Sequence, residues 1–292
     1  MSSNLENSSD TEKPVNGPKS EISDSAPAKY TGILLAGARS KNDPVASVFG
    51  EKYKALVPLV GRPMIAYALD ALKNAKHIDK IIVVFDGNEA LETDNIKLHQ
   101  ELNAPDVKVI STANSICQSV KNAIEQDGGK WPYLVTTADH ALLTPEVIDY
   151  FCEHVGERQG LCAGFVEKRY IDEAHPSSKR TYIPFKDAML SGANLFAFTC
   201  ANSLNILDFW ESVENERKTP WRLFRAFGPV NMLGLMLRRF TIASAFGRAS
   251  KVLGVEVAAI TLPYAEAAID VDSPKDYMQV TKILEDRTAF LP

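Results

Sequence analysis

The run Thr31-Gly32-Ile33-Leu34-Leu35-Ala36-Gly37-Ala38-Arg39-Ser40 opens the folded part of the chain. Thr31 to Ala36 is a short apolar run that stops at a glycine, the mark of a buried strand. Gly37 lets backbone amides come close to a bound anion, and Ala38 is nearly as small. Arg39 can fork two donors onto phosphate oxygens. The segment 41–53 reads as a long loop. It leads into Lys54-Ala55-Leu56-Val57-Pro58-Leu59-Val60-Gly61-Arg62-Pro63-Met64. Lys54 is a mobile point charge, suited to a phosphate whose charge changes during reaction. No Walker loop is present, because Lys54 lies far from the glycine.

Further along, strand and helix signals alternate. Pro63 suits the first turn of a helix, and Met64, Ile65, Ala68, Leu69 and Leu72 follow at helical spacing. Lys80–Phe85 predicts a second strand, stopped by Asp86-Gly87, and a polar helix is expected over 88–103. Val107–Ser111 predicts a third strand, and Ser115–Gln126 a helix closed by Asp127-Gly128-Gly129. Pro132–Ala138 predicts a fourth strand, and Thr144-Pro145 caps the next helix. Such alternation predicts an α/β fold with a mostly parallel sheet and right-handed crossovers. After Leu161–Val166 the pattern loosens, and Thr181–Phe185 with Asn194–Phe198 predicts an antiparallel insertion. Residues 201–253 read as helical throughout. Glu256–Leu262 returns as a strand, and Ser273-Pro274 starts a terminal helix. One domain is expected over 30–292.

Two carboxylates stand at strand ends, about 130 residues apart. Tyr133-Leu134-Val135-Thr136-Thr137-Ala138 runs into Asp139, and Asp270-Val271-Asp272 precedes Ser273-Pro274. Open α/β sheets place their chemistry at the carboxyl ends of strands. Carboxylates brought together there suit Mg²⁺, which takes oxygen ligands and commonly shares them with substrate phosphates. As isolated residues, both are equally ordinary helix caps.

The bulk numbers set limits. The chain has 292 residues, 45% hydrophobic and 24% charged, with a net charge of −5. Such a molecule is no general nucleic-acid binder. Cys117, Cys152, Cys162 and Cys200 form no C-x-x-C pair, which argues against a zinc site and a redox dithiol. They fit a reducing, cytoplasmic setting. No apolar run reaches the roughly 18 residues of a membrane span. Residues 1–29 lack the pattern of a signal peptide, and their Ser, Glu, Asp, Lys and Pro content predicts a disordered tail.

The order of these features resembles the MobA-like nucleotidyltransferases. The resemblance rests on L-A-G with Arg39 two residues later, and on K-x-L-x-P-L-x-G-x-P-M from Lys54 to Met64. Ser119-Val120 with Ala123-Ile124 is similar to the S-V-x-x-A/G-L stretch of the cytidylyltransferase branch. Thr137-Ala138-Asp139 matches the position of a first metal aspartate. Gly192-Ala193-Asn194-Leu195-Phe196 resembles a G-x-N-x-F turn that faces the acceptor, and Asp270 to Asp276 a closing D-x-D-T-P-x-D. The resemblance spans about 30 to 280 and implies a Rossmann-like three-layer sandwich of glycosyltransferase-A type.

It also implies roles. Leu35, Ala36, Gly37, Ala38 and Ser119 would bind the nucleotide. Lys54 would stabilise the α-phosphate and Arg39 the departing phosphates. Asp139, Asp270 and Asp272 would hold Mg²⁺, and Gly192 and Asn194 would face the acceptor. His140 receives no role. Two departures matter: many relatives carry a second glycine before the arginine, and the R-M-G of guanylyl-transferring molybdopterin enzymes is absent. Together with the Ser119 stretch they favour CTP over GTP.

For the acceptor, Lys168-Arg169, Lys179-Arg180, Arg222 and Arg225 are in excess of what an NTP needs. Arg222 and Arg225 are spaced to share a helix face. They predict a small phosphorylated acceptor with a further anionic group. The apolar run Val230–Leu237, followed by Arg238-Arg239 and then Arg248 and Lys251, has three readings. It suits a membrane surface, the cap of a second-substrate pocket or a homodimer face, with membrane contact the least favoured. The competing functions are a molybdopterin nucleotidyltransferase, a non-catalytic nucleotide-binding protein and a glycosyltransferase of the same architecture.

Overall fold

In the computed structural model, the residues described are 29–37, 43–87, 91, 95–214, 228, 233–234 and 237–289. The expected tail lies outside them, as do Ala38, Arg39, Arg222 and Arg225. Strands β1 (Tyr30–Leu35), β4 (Ile78–Val84), β5 (Val107–Ile110) and β6 (Tyr133–Thr137) form a parallel block. Strand β9 (Met189–Phe198) lies antiparallel between β6 and β7 (Gly160–Glu167), and β10 (Glu256–Leu262) pairs parallel to β7. The order across the sheet is β10-β7-β9-β6-β1-β4-β5. The short β8 (Ile183–Pro184) pairs with β9, so the expected antiparallel insertion is present. A separate ribbon joins β2 (Pro58–Leu59) to β3 (Arg62–Pro63).

Helices cover both faces, which makes the three layers expected from the sequence. On one face α2 (Met64–Asn74) and α5 (Pro145–Val155) bury Leu69, Leu72, Ile148 and Phe151 against the inward row of the sheet. On the other, α4 (Ile116–Gln126) and α7 (Leu204–Glu214) cover Ile33, Tyr133, Val135 and Phe198. The local chemistry explains the helix starts. Ser115 Oγ accepts from the Gln118 amide and Thr144 Oγ1 from the Val147 amide, and each satisfies a donor that the first helical turn leaves free. The terminal helix α9 (Pro274–Ala289) packs Val280 and Leu284 beside Val45, Leu59 and Ile269.

Several boundaries differ from expectation. The segment 41–53 contains the helix α1 (Pro44–Phe49), because Asp43 accepts from the Val45 and Ala46 amides and Pro44 sits at its first turn. The polar helix expected over 88–103 is described only as α3 (Ile96–Leu102). An additional short helix, α6 (Lys168–Ala174), follows β7. The helical reading of 201–253 holds for α7 and for α8 (Ile242–Leu253); most of the intervening residues lie outside those described.

Candidate active site

The parallel block brings β1 and β6 into register with Leu35 opposite Thr137. Gly37 and Asp139 therefore emerge side by side beyond the strand ends. The Ala138 amide donates to the Leu35 carbonyl at 2.9 Å and holds the two ends together. A cavity of about 280 Å³ opens here. Leu35, Ala36 and Gly37 at the end of β1, Thr112, Asn114 and Ser119 after β5, and Lys54 and Asp139 all line it. A Cβ on Gly37 would lie 2.6 Å from Thr112 Cγ2. Thr112 cannot easily yield, because its amide and hydroxyl both donate to Asp86. The glycine is thus required by close approach to a pinned loop.

Ser119 is buried, and its hydroxyl accepts from the Ala113 amide at 2.9 Å. It shapes the 112–115 loop from behind while contributing to the cavity wall. That loop escaped the sequence reading. Its side chains follow no period, and only their place after β5 marks them.

Lys54 Nζ donates to Asp139 Oδ2 at 2.6 Å, to the Val271 carbonyl at 3.0 Å and to Asp272 Oδ1 at 3.2 Å. Burial pulls its pKa down, but the Asp139 and Asp272 carboxylates outweigh that, and the ammonium is held above its ordinary value. Thr137 Oγ1 donates to the other oxygen of Asp139. The Val271 amide donates to the Asp139 carbonyl at 3.1 Å, so the end of β6 is joined through the backbone to the segment 270–272, which follows a 3-10 turn at Ala265–Ala268 and is not the strand end expected from the sequence.

Asp270 occupies a second corner. Arg180 Nη1 donates to its Oδ1 at 2.8 Å, and Asn194 Nδ2 to its Oδ2 at 3.0 Å. Arg180 also pairs with Asp276, whose amide and side chain bond to Ser273 at the start of α9. Burial, then Asp272, then Asp139 push the Asp270 pKa up, with Arg180 opposing. Asn194 reaches this position with a left-handed φ of 49°, a conformation asparagine tolerates better than most residues. Gly192 is exposed on the same strand. Arg180 was expected only as one of several basic residues. Its role as the buried partner of two aspartates comes from tertiary approach. His140 is fully buried, and burial lowers its pKa to about 4, so it stays neutral beside Asp139.

The metal expectation can be tested against this charge pattern. Among the described residues, Asp139, Asp270, Asp272 and Asp276 gather around Lys54 and Arg180. Burial is the main cause of the upward push on Asp270, and the neighbouring Asp272 and Asp139 carboxylates add to it. Among the described residues no group of three or more His, Cys, Asp or Glu side chains forms a metal cage. Mg²⁺ rarely uses such a cage; one or two carboxylates plus substrate phosphates suffice. The donor set therefore fits a divalent ion that arrives with a nucleotide.

Comparison with known proteins agrees with this architecture. A search of curated proteins gave no match. A hypothetical transferase from Thermus thermophilus is 28% identical, with a TM-score of 0.72 over 85% of this chain and 99% of its own. A CMP:2-keto-3-deoxy-manno-octonic acid synthetase complexed with CTP shares the fold at 14% identity, with a TM-score of 0.54 over 89% of this chain and 100% of its own. A 4-diphosphocytidyl-2C-methyl-D-erythritol synthase from Anaerococcus prevotii does so at 12% identity, with a TM-score of 0.54 over 88% of this chain and 99% of its own. The model of the MobA-like NTP transferase domain matches residues 32–192. That match takes in the cavity, Lys54 and Asp139, and covers more than half of the 292 residues, so the chain belongs to the MobA-like NTP transferase family of nucleotidyltransferases.

Proposed function

We propose that the protein transfers CMP from CTP to a small phosphorylated, anionic acceptor, releasing pyrophosphate and leaving a CDP-activated product. The observation that carries this is Lys54, held by Asp139 and Asp272 beside a cavity that Gly37 helps to line. In the reaction an acceptor phosphate oxygen attacks the α-phosphorus in line, and the bond to the β-phosphate bridging oxygen breaks. Positioning and charge neutralisation supply most of the rate. Lys54 follows the charge that builds on the α-phosphate. The Gly37 turn supplies backbone donors, and Arg39 takes the departing phosphates. Asp139 and Asp270, with Asp272, would hold Mg²⁺, which supplies Lewis-acid neutralisation of the phosphates. A phosphate dianion is already a nucleophile, so no general base is required.

The choice of CTP rests on the Ser119 stretch and the absent R-M-G, with support from the polar cavity wall of Thr112, Asn114 and Ser119. The two cytidylyl-named synthases of similar fold point the same way. The acceptor reading rests on Gly192, Asn194 and the paired Arg222 and Arg225.

The test offers each of the four NTPs at equal concentration with Mg²⁺ and a panel of phosphorylated acids and polyols, and measures pyrophosphate release. CTP with an acidic acceptor should be fastest. A clear GTP preference would transfer the protein to the molybdopterin branch, and an absence of pyrophosphate with every pair would remove the catalytic reading. Replacing Arg222 and Arg225 with Gln should raise KM for the acceptor and leave that for CTP nearly unchanged.

A further inference from the structure

We propose that Asn194 is a positioning residue for Asp270, acting with Arg180 to fix the direction in which that carboxylate meets a divalent ion. The inference rests on the metal role given to Asp270 under the proposed function. It starts from an irregularity in β9. Ala163 pairs with Phe196, but Phe165 pairs with Gly192, so the register shifts between them. Residues 193–195 of β9 face Gly164 alone, and the extra length is taken up as a bulge. Asn194 sits at its centre with a φ of 49°. A Cβ on Gly164 would lie 3.2 Å from Leu195 Cβ and 3.5 Å from Ala193 Cβ, so a larger residue there would crowd the bulge.

Ala193 and Leu195 are buried, which leaves Asn194 as the side chain that the bulge re-aims. Bulges and left-handed residues of this kind gather at functional sites. Here the re-aimed group is the Asn194 amide, and Nδ2 donates to Asp270 Oδ2 at 3.0 Å. Asn194 Oδ1 takes no part in that bond, so a contact with the acceptor is compatible with it.

The other oxygen of Asp270 is held independently. Arg180 Nη1 donates to Oδ1 at 2.8 Å, and Nη2 donates to Asp276. Arg180 Nε donates to Ser178 Oγ at 3.3 Å, and Ser178 donates to Gln279 Oε1 at 3.2 Å. Arg180 is thereby tied to α9 at two points. Asp139 is held on the same plan, with Lys54 on one oxygen and the Thr137 hydroxyl on the other. In each case a cation takes one oxygen and a neutral group the second. A carboxylate oxygen has two lone pairs, so one donor on each still leaves room for an ion. Partners that orient a metal ligand in this way are commonly worth about 10–100-fold in affinity or activity.

The experiment titrates Mn²⁺ alone into the full chain and reads the free ion by electron paramagnetic resonance. Asn194→Gly removes the amide and keeps the backbone, because glycine adopts a positive φ freely. It should weaken Mn²⁺ binding about tenfold or more, with thermal melting near that of the wild type. The Mg²⁺ concentration for half-maximal pyrophosphate release should rise by a similar factor. In an Asp270→Asn background, Asn194→Gly should cost almost nothing further, since the pair acts as one unit. Arg180→Lys keeps the charge without the fork, and should also weaken Mn²⁺ binding.

Unchanged Mn²⁺ binding by folded Asn194→Gly or Arg180→Lys, while Asp270→Asn loses it, overturns the proposal and leaves the metal role of Asp270 standing. A rise confined to KM for the acceptor does the same, and makes Asn194 an acceptor group only. A full further loss in the Asp270→Asn background places the action of Asn194 elsewhere and overturns it too. Wild-type Mn²⁺ affinity in Asp270→Asn removes the ion from Asp270, and both the metal role and the proposal then fall.

Discussion

The two halves of the sheet are built to different standards of closure. In the parallel block, β1 buries five of its six residues, β4 its last four, and α2 seven of its eleven. At the other edge, β10 is mostly half-buried and α8 buries none. The first half fixes the cavity that we propose for the nucleotide, where a displacement of about 1 Å can cost two orders of magnitude in rate. The second half carries Asn194 and its bond to Asp270. Among the described residues, burial is deepest around the cavity and thins toward the β10 edge.

Substitutions can break that contrast, and the largest effects belong at the junction of the halves. Asp139→Asn should lower turnover by about 10³-fold or more, at the upper end for loss of an electrostatic stabiliser, while the fold survives. Steady-state pyrophosphate release checks this, and chelation of divalent ions should reproduce the loss in the wild type. Lys54→Ala should reduce kcat by about 10²–10³ with a smaller change in KM for the nucleotide. A change confined to KM would make Lys54 a binding group alone.

Stability effects come next. Leu72→Ala, beneath Gly32 in the sealed half, should cost about 2–5 kcal/mol in denaturant unfolding. Arg180→Gln leaves Asp270 and Asp276 without their buried partner and should cost about 3 kcal/mol, part of it recovered by Arg180→Lys. Val252→Ala on the open edge should change stability by less than about 0.5 kcal/mol. Equal costs for Leu72→Ala and Val252→Ala would erase the distinction between the halves.

What the sequence disclosed follows the same division. The strands of the parallel block are continuous apolar runs, so β1, β4, β5 and β6 could be placed, and Asp139 with them. Thr144-Pro145 and Ser115 marked helix starts because capping is local chemistry. The helix α1 hid behind an equally local signal, Asp43-Pro44, set in a stretch otherwise polar enough to pass for loop. The 112–115 wall and the Arg180 clamp were not legible as such. Thr112 matters because Asp86 pins it, and Arg180 because residues about 90 positions away close around it. Neither partner can be inferred from spacing. Ser119 was singled out by resemblance, but its bond to the Ala113 amide shows it also braces the loop from behind.

The hydrogen bond from the Val271 amide to the Asp139 carbonyl has a consequence for the order in which the protein becomes active. Chains acquire structure from the N-terminal side as they are made. By the time α5 has been synthesised, every residue that lines the cavity is already present. Asp270 and Asp272 are not, and neither is the carbonyl that steadies Lys54. A nascent chain at that stage holds the walls of the cavity and Asp139 but not the rest of the carboxylate cluster. The stretch that follows β10 supplies Asp270 and Asp272, so on the function proposed above the pocket forms well before the site around it is complete.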